Sequence, residues 1–247
     1  MPEPTMKCDK CKTEFPKRSI CCPNCGEGGI SKLYIYKRYN ECSLSILRDK
    51  KIWFPAAKSL NDPFEFHFYS PEMHISGIPI DTVSFEDAKQ EMRRMGVLSL
   101  SEINNNILMW SHYSESHTGF CIEFERNDVN ELGNWEVCVP VFYNENLPTC
   151  KPIELQDIEV VTKILTTKSS LWDYEKEWRI IARKGNQTIP LPGVITGIIF
   201  GYKMPTDKRQ EIVAILGNTV TYMEATKSLT KFAVEITPVA LSDLKTG

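Results

Sequence analysis

Four cysteines near the start of the chain are spaced for a metal. Cys8-Asp9-Lys10-Cys11 and Cys22-Pro23-Asn24-Cys25 form two Cys-x-x-Cys knuckles with residues 12–21 between them. Zinc takes four thiolates tetrahedrally, and each knuckle turn offers two sulfurs to one ion. Gly26 permits a tight turn after the second knuckle and leaves amides free to donate to sulfur. With four cysteine ligands no coordination position stays open, so such an ion folds the module and does no chemistry. The competing readings are a redox pair, or Cys21 standing in for its neighbour Cys22. Residues 6–27 hold five of the nine cysteines and few large apolar side chains, so a fold there needs a staple.

A second set of reactive side chains lies far downstream, in Trp172-Asp173-Tyr174-Glu175-Lys176-Glu177-Trp178-Arg179. On a strand, side chains alternate faces, which groups Glu175, Glu177 and Arg179 on one side. Two carboxylates and a guanidinium are costly to bury unless paired. The run continues into Ile180-Ile181-Ala182, as a strand covered on both faces does, and charges at the mouth of such a strand suggest a site. A solvated outer face is the competing reading.

Three further stretches hold more polar and aromatic chemistry than a core requires. They are Leu33-Tyr34-Ile35-Tyr36-Lys37-Arg38-Tyr39, Leu60-Asn61-Asp62-Pro63-Phe64-Glu65, and Met109-Trp110-Ser111-His112-Tyr113 followed by His117-Thr118-Gly119-Phe120. Lys168 precedes the acidic stretch. His112 and His117 are five apart, which does not place them on one helical face, so hydrogen-bonded structural roles are favoured over a shared metal. Gly-x-Gly-x-x-Gly, P-loop and Gly-x-Ser-x-Gly patterns are missing from the chain, which counts against Rossmann hydride transfer, P-loop phosphoryl transfer and α/β-hydrolase chemistry.

The elements that must position these residues follow from periodicity. Strands are expected over Lys32–Tyr39, Lys51–Phe54, Val97–Ser101, Gly119–Glu125, Trp135–Tyr143, Glu177–Arg183, Ile195–Gly201, Thr219–Glu224 and Phe232–Pro238. Helices are expected over Ser43–Asp49 with Ser43 as N-cap, Ser84–Met95, Asn105–Tyr113, Ile153–Thr167 and Asp207–Leu216, the last closed by Gly217. Short strand-to-strand links favour an α+β fold with a mixed, largely antiparallel sheet. A small zinc ribbon is expected over 1–30 and one α+β domain over 31–247.

The net charge of −3 does not advertise a polyanionic partner, yet residues 1–40 hold eight Lys and Arg against four acids. A basic patch of this kind attracts phosphate backbones, though a solvated surface has the same composition. Met1 to Lys7 lacks the apolar run of a secretory signal, and no stretch is apolar enough to span a membrane. A cytoplasmic protein with reduced thiols is expected, with no membrane partner.

Taken in order, the four stretches resemble a widespread bacterial family of unknown function. Its marks are an Asn-Asp-Pro-Phe-Glu turn, a Met-Trp-Ser-His-Tyr block and a Tyr-Glu-x-Glu-x-Arg strand, and the likeness runs from about Leu33 to Gly201. More distantly, the layout resembles ADP-ribosyltransferase toxins that modify nucleic acid. That second resemblance implies a split, mostly antiparallel sheet and NAD as substrate. Glu175-Lys176-Glu177 then becomes the Glu-x-Glu of the last core strand, with Glu177 the favoured catalytic residue. It assigns NAD contacts to Tyr34, Tyr36, Lys37, Arg38, Asn61, Trp110, His112, Tyr113 and Arg179. The opening strand lacks the histidine found in many members. The implied activity is transfer of ADP-ribose to RNA or single-stranded DNA by a bacterial toxin or antiphage effector, with an antitoxin or chaperone as a further partner. A non-enzymatic binding module and a metal-dependent nuclease using Glu65, Glu175 and Glu177 are the alternatives weighed.

Overall fold

The structure, a computed structural model, describes residues 4–70, 74–75, 78–79 and 82–245. The outermost residues of the two expected domains, 1–3 and 246–247, lie outside these. In chain order the strands are β1 (Thr5–Lys7), β2 (Glu14–Pro16), β3 (Lys32–Lys37), β4 (Lys51–Phe54), β5 (His74–Ile75), β6 (Ile78–Pro79), β7 (Gly96–Ser101) and β8 (Phe120–Glu125). They continue as β9 (Cys138–Pro140), β10 (Phe142–Asn144), β11 (Thr167–Ser169), β12 (Glu177–Ala182), β13 (Gln187–Pro190), β14 (Ile195–Phe200), β15 (Thr221–Lys227) and β16 (Val234–Pro238). The helices are α1 (Glu41–Asp49), α2 (Thr82–Arg94), α3 (Ile107–Tyr113), α4 (Ile158–Leu165), α5 (Thr206–Leu216) and α6 (Leu241–Lys245). The fold is α+β, with a mixed and largely antiparallel sheet.

The chain forms two compact units. One comprises 53–99 and 139–188, and the other 2–52, 100–138 and 189–247.

In the first unit, strands β7, β12 and β9 lie side by side. The core joins Phe66, Phe68, Met92, Val97, Cys150, Ile164 and Leu165. Strand β12 is buried at its first four positions on both faces, as its apolar run implies. Helix α4 is shorter than the expected Ile153–Thr167, because a 3₁₀ turn fills Pro152–Gln156. The Asp157 side chain then caps the Glu159 amide and starts α4 afresh.

In the second unit the strand order is β16-β15-β14-β8-β3, and Ser101 at the end of β7 pairs with Tyr34. Strands β3 and β14 both run antiparallel to β8, and β15 runs parallel to β14. Strands β3, β14 and β15 therefore all end at the same edge. Helix α1 starts two residues before the expected Ser43. Its cap is Asn40, whose side chain accepts from the Ser43 amide, while Ser43 itself is buried. Asn106 caps α3 in the same way through the Leu108 and Met109 amides.

The N-terminal module packs within this second unit. Phe15 on the β1–β2 hairpin covers Cys8 and Cys22. Arg126, 1% exposed, ties the module down through carbonyls of three segments. Its guanidinium donates to Leu132 O at 2.9 Å, Ile30 O at 2.9 Å and Arg18 O at 2.8 Å. Lys17 Nζ reaches both oxygens of Glu102 at 3.0 Å. Each buried carbonyl left without its donor costs about 1–3 kcal/mol, so Arg126 is a structural clamp.

Candidate active site and metal centre

The Glu175-Lys176-Glu177 segment lies in the first unit and is built by one backbone reversal. A 3₁₀ turn over Ser170–Glu175 ends at Lys176, which adopts the left-handed conformation with φ 47°. Strand β12 starts only at Glu177, so simple alternation pairs Glu177 with Arg179 but does not bring in Glu175. The turn at Lys176 does that.

Both carboxylates converge on Lys168. Its Nζ lies 2.5 Å from Glu175 Oε2 and 3.0 Å from Glu177 Oε2. Arg179 grips Glu177 with two nitrogens, Nε at 2.8 Å and Nη2 at 3.0 Å. The third nitrogen, Nη1, donates to Glu65 Oε1 at 2.5 Å and to Leu165 O at 2.9 Å. Tyr143 Oη accepts from the Glu177 amide at 2.7 Å, and the Ser99 hydroxyl bonds the Glu177 carboxylate. Three carboxylates thus share two cations, all buried.

Burial alone would raise the Glu177 carboxyl; the Arg179 guanidinium and Lys168 ammonium overcome it and hold the group at about 2. Glu65 goes the other way. Its burial, with Glu177 nearby, outweighs its pairing with Arg179 and raises it. Desolvation opposes the Lys168 charge, but Glu177 and Glu175 prevail and its proton is held more tightly than in water.

Lys168 also borders a cleft of about 150 Å³ lined by Phe64, His67, Asn144, Asn146, Lys168 and Ser169. Ligand pockets usually run to several hundred Å³, so this one accommodates a single ring or sugar. The Asn61-Asp62-Pro63-Phe64-Glu65 turn shapes its rim. Asp62 is buried and accepts the Phe64 amide at 2.9 Å, which leaves Phe64 exposed while Glu65 turns inward to Arg179. Asn61 is exposed on that turn.

The remaining expected NAD contacts belong to the second unit. The Tyr34 hydroxyl bonds Glu123 and Asn104. Tyr36 donates to Ile103 O at 2.9 Å and meets the Trp110 ring edge-on at 5.1 Å. Trp110 is fully buried, its indole N–H donating to Asn104 O at 2.8 Å. Lys37 and the exposed Arg38 lie at and just beyond the end of β3. His112 and Tyr113 pack edge to face at 6.3 Å on the outer side of α3.

Sequence reasoning treated His117 as structural, and its surroundings add detail. Glu115, Ser116 and His117 have φ of 52°, 54° and 70°, three consecutive residues in a region costly for side chains with a Cβ. Ser111 Oγ donates to Ile107 O at 2.8 Å, so it accepts from His117 Nε2 at 3.1 Å. That leaves Nδ1 as the bare lone pair, buried and without a partner. Burial, with Lys203 adding, lowers the His117 pKa and keeps the ring neutral. Gly201 is required beside it, since a Cβ there would lie 2.2 Å from His117 O.

The four cysteines Cys8, Cys11, Cys22 and Cys25 form a cluster that can hold a metal such as zinc, their sulfurs all within 4.8 Å of one another. The Cys8–Cys25 and Cys11–Cys22 sulfurs are 3.5 Å apart, near the roughly 3.8 Å that 2.3 Å bonds to a tetrahedral ion imply. Gly28, at φ 80°, completes the cradle: a Cβ there would stand 2.9 Å from Cys8 Sγ. Cys21 is exposed and outside the cluster, so Cys22 is the candidate ligand of the two. No disulfide pairs any cysteine, and Cys121 and Cys138 are core thiols, as expected.

Sequence reading did not single out Tyr143 or Ser99, and named Lys168 only in passing. Nothing in the local sequence marks them; long-range pairing brings them to Glu177. A family model described as a protein of unknown function (DUF2971) matches residues 109–180, which take in most of α3, the His117 turn, Lys168 and Glu175–Arg179. No curated protein and no solved structure gives a match. Among the described residues no helix is long and apolar enough to cross a membrane.

Proposed function

We propose that the protein is an NAD-dependent ADP-ribosyltransferase that modifies RNA or single-stranded DNA, as a toxin or antiphage effector acting in the cytoplasm. The observation that supports this best is the convergence of Glu175 and Glu177 on Lys168 at the wall of a ring-sized cleft. Breaking the nicotinamide–ribose bond develops positive charge on the ribose. A carboxylate already ionised and fixed in place stabilises that charge without reorganising. Glu177 meets the first requirement, being held ionised by Arg179 and Lys168.

Both Glu177 oxygens accept hydrogen bonds, so grip on a ribose 2′-hydroxyl requires Lys168 to swing off Glu177 toward Glu175. Phe64 and His67 at the cleft rim offer faces to the nicotinamide ring. The four-cysteine module is a structural zinc ribbon in this reading, and its surplus of basic side chains helps hold the acceptor.

Incubation with labelled NAD and a panel of RNA and DNA strands tests the activity. The expected result is label transferred to a strand with release of nicotinamide. Strand cleavage that needs a divalent cation and ignores NAD would point to a nuclease instead. An inert protein whose melting temperature does not respond to NAD would be a binding module.

A further inference from the structure

Strands β3, β14 and β15 run in one direction, and their carboxyl ends meet at one edge of the second unit's sheet. That edge is basic and aromatic. Lys37 and Arg38 end β3, Tyr202 and Lys203 follow β14, and Lys227 ends β15. The ammonium groups of Lys203 and Lys227 both lie 5.3 Å from the centre of the Tyr202 ring. Neither lysine makes an ion pair among the described residues. Two like charges drawn to one ring repel each other, and an anion relieves that repulsion.

The surroundings agree. The His117 ring backs Tyr202 at 4.8 Å. Lys208 lies 4.7 Å from the centre of the Tyr39 ring. Of the carboxylates nearby, Glu224 is engaged by Arg209 at 3.0 Å and Glu211 accepts from Tyr39, while Asp207 stands in the first turn of α5. Helix α5 starts after Pro205, which offers it no side-chain cap. Burial holds Lys37 down to about 8. The link between β15 and β16 adds Lys231 and the fully exposed Leu229 and Phe232.

We propose that this edge binds single-stranded nucleic acid, with Lys203 and Lys227 on phosphates and Tyr202 as a platform for an unpaired base. Interleaved cations and aromatic rings suit single strands, whose bases are free to stack, better than duplex. The proposal rests on the reading above in naming where the acceptor strand lies, but it is measurable without NAD.

The test is fluorescence anisotropy of a labelled single strand of about 12 nucleotides with the full chain and no NAD. Lys203→Glu with Lys227→Glu should weaken binding at least about tenfold and flatten the salt dependence by a slope of about 1 to 1.5. Tyr202→Ala should weaken single-strand binding several-fold while barely changing binding to heparin. Circular dichroism and thermal unfolding report whether these surface variants remain folded. An unchanged affinity in the folded double variant overturns the proposal. So does wild-type protein that ignores single strands but binds acidic vesicles, or binding lost only on Lys7→Glu with Lys12→Glu in the N-terminal module. ADP-ribose transfer that survives in the double variant leaves the enzyme standing and removes this surface. Strand binding that needs Lys203 and Lys227 in a protein releasing no nicotinamide does the reverse.

Discussion

Glu65 and Glu177 share one arginine, and burial opposes the charge of both; only at Glu177 do the neighbouring cations outweigh it. Glu177 is held ionised by two cations, so removing its charge leaves Arg179 and Lys168 buried without their main partner. Glu177→Gln should cost about 3–5 kcal/mol of stability. Glu65 is raised, so its charge contributes less, and a glutamine oxygen there still accepts from Arg179. Glu65→Gln should cost no more than about 1.5 kcal/mol. Urea denaturation ranks the two, and equal losses would contradict the assignment. The pH dependence has a definite sign. The folded Glu177 pKa of about 2 lies below its ordinary value of 4.5, so its contribution is complete above about pH 5 and disappears as pH falls toward 2. Lys168 is raised, so its contribution is present at neutral pH and lost only above its ordinary value of 10.5. Stability should therefore fall less between about pH 5 and pH 2 in Glu177→Gln than in the wild type.

At the level of elements, Arg126 predicts the coupling of the N-terminal module to the sheet behind it. Arg126→Leu removes donors from three carbonyls and should destabilise the second unit by about 3 kcal/mol or more, as read by thermal unfolding. A shift below about 1 kcal/mol would show that the module is merely tethered. Most strands were legible in the sequence because alternation and apolar runs are local signals: Lys32–Lys37, Lys51–Phe54, Ile195–Phe200 and Glu177–Ala182 fall where periodicity places them. Helix starts were less legible. Asn40 and Asn106 cap through short side chains that read equally well as loop residues, which moved α1 and α3 by two residues each. Trp135–Tyr143 resolved into a turn and two strands, since Pro140 breaks the run. Glu175 and Glu177 were recognisable as a pair. Glu65 was grouped with them only for a nuclease and Lys168 was named only as preceding them; Tyr143 and Ser99 were not legible, because only tertiary pairing brings them to Glu177.

For the whole molecule, the two proposed roles are separable by experiment: folding by a metal at the four-cysteine cluster and reaction at the Glu175–Glu177 pair. The four-cysteine cluster should bind one zinc per chain, released by a strong chelator with loss of second-unit structure. Cys22→Ser should abolish that stoichiometry and Cys21→Ser should not, since only Cys22 lies in the cluster. Retained zinc in Cys22→Ser would reassign the ligand. In the proposed reaction the Glu175–Glu177 pair beside Lys168 cleaves NAD. Its most direct measure is nicotinamide released by the full chain in the presence of single-stranded acceptors, with Glu177→Gln and the cleft variant His67→Ala alongside. The expected results are release by the wild type, a loss of at least about a hundredfold in Glu177→Gln at a temperature where it is still folded, and a raised KM for NAD in His67→Ala. Wild-type protein that releases no nicotinamide, or a folded Glu177→Gln protein that releases it at the wild-type rate, would contradict it.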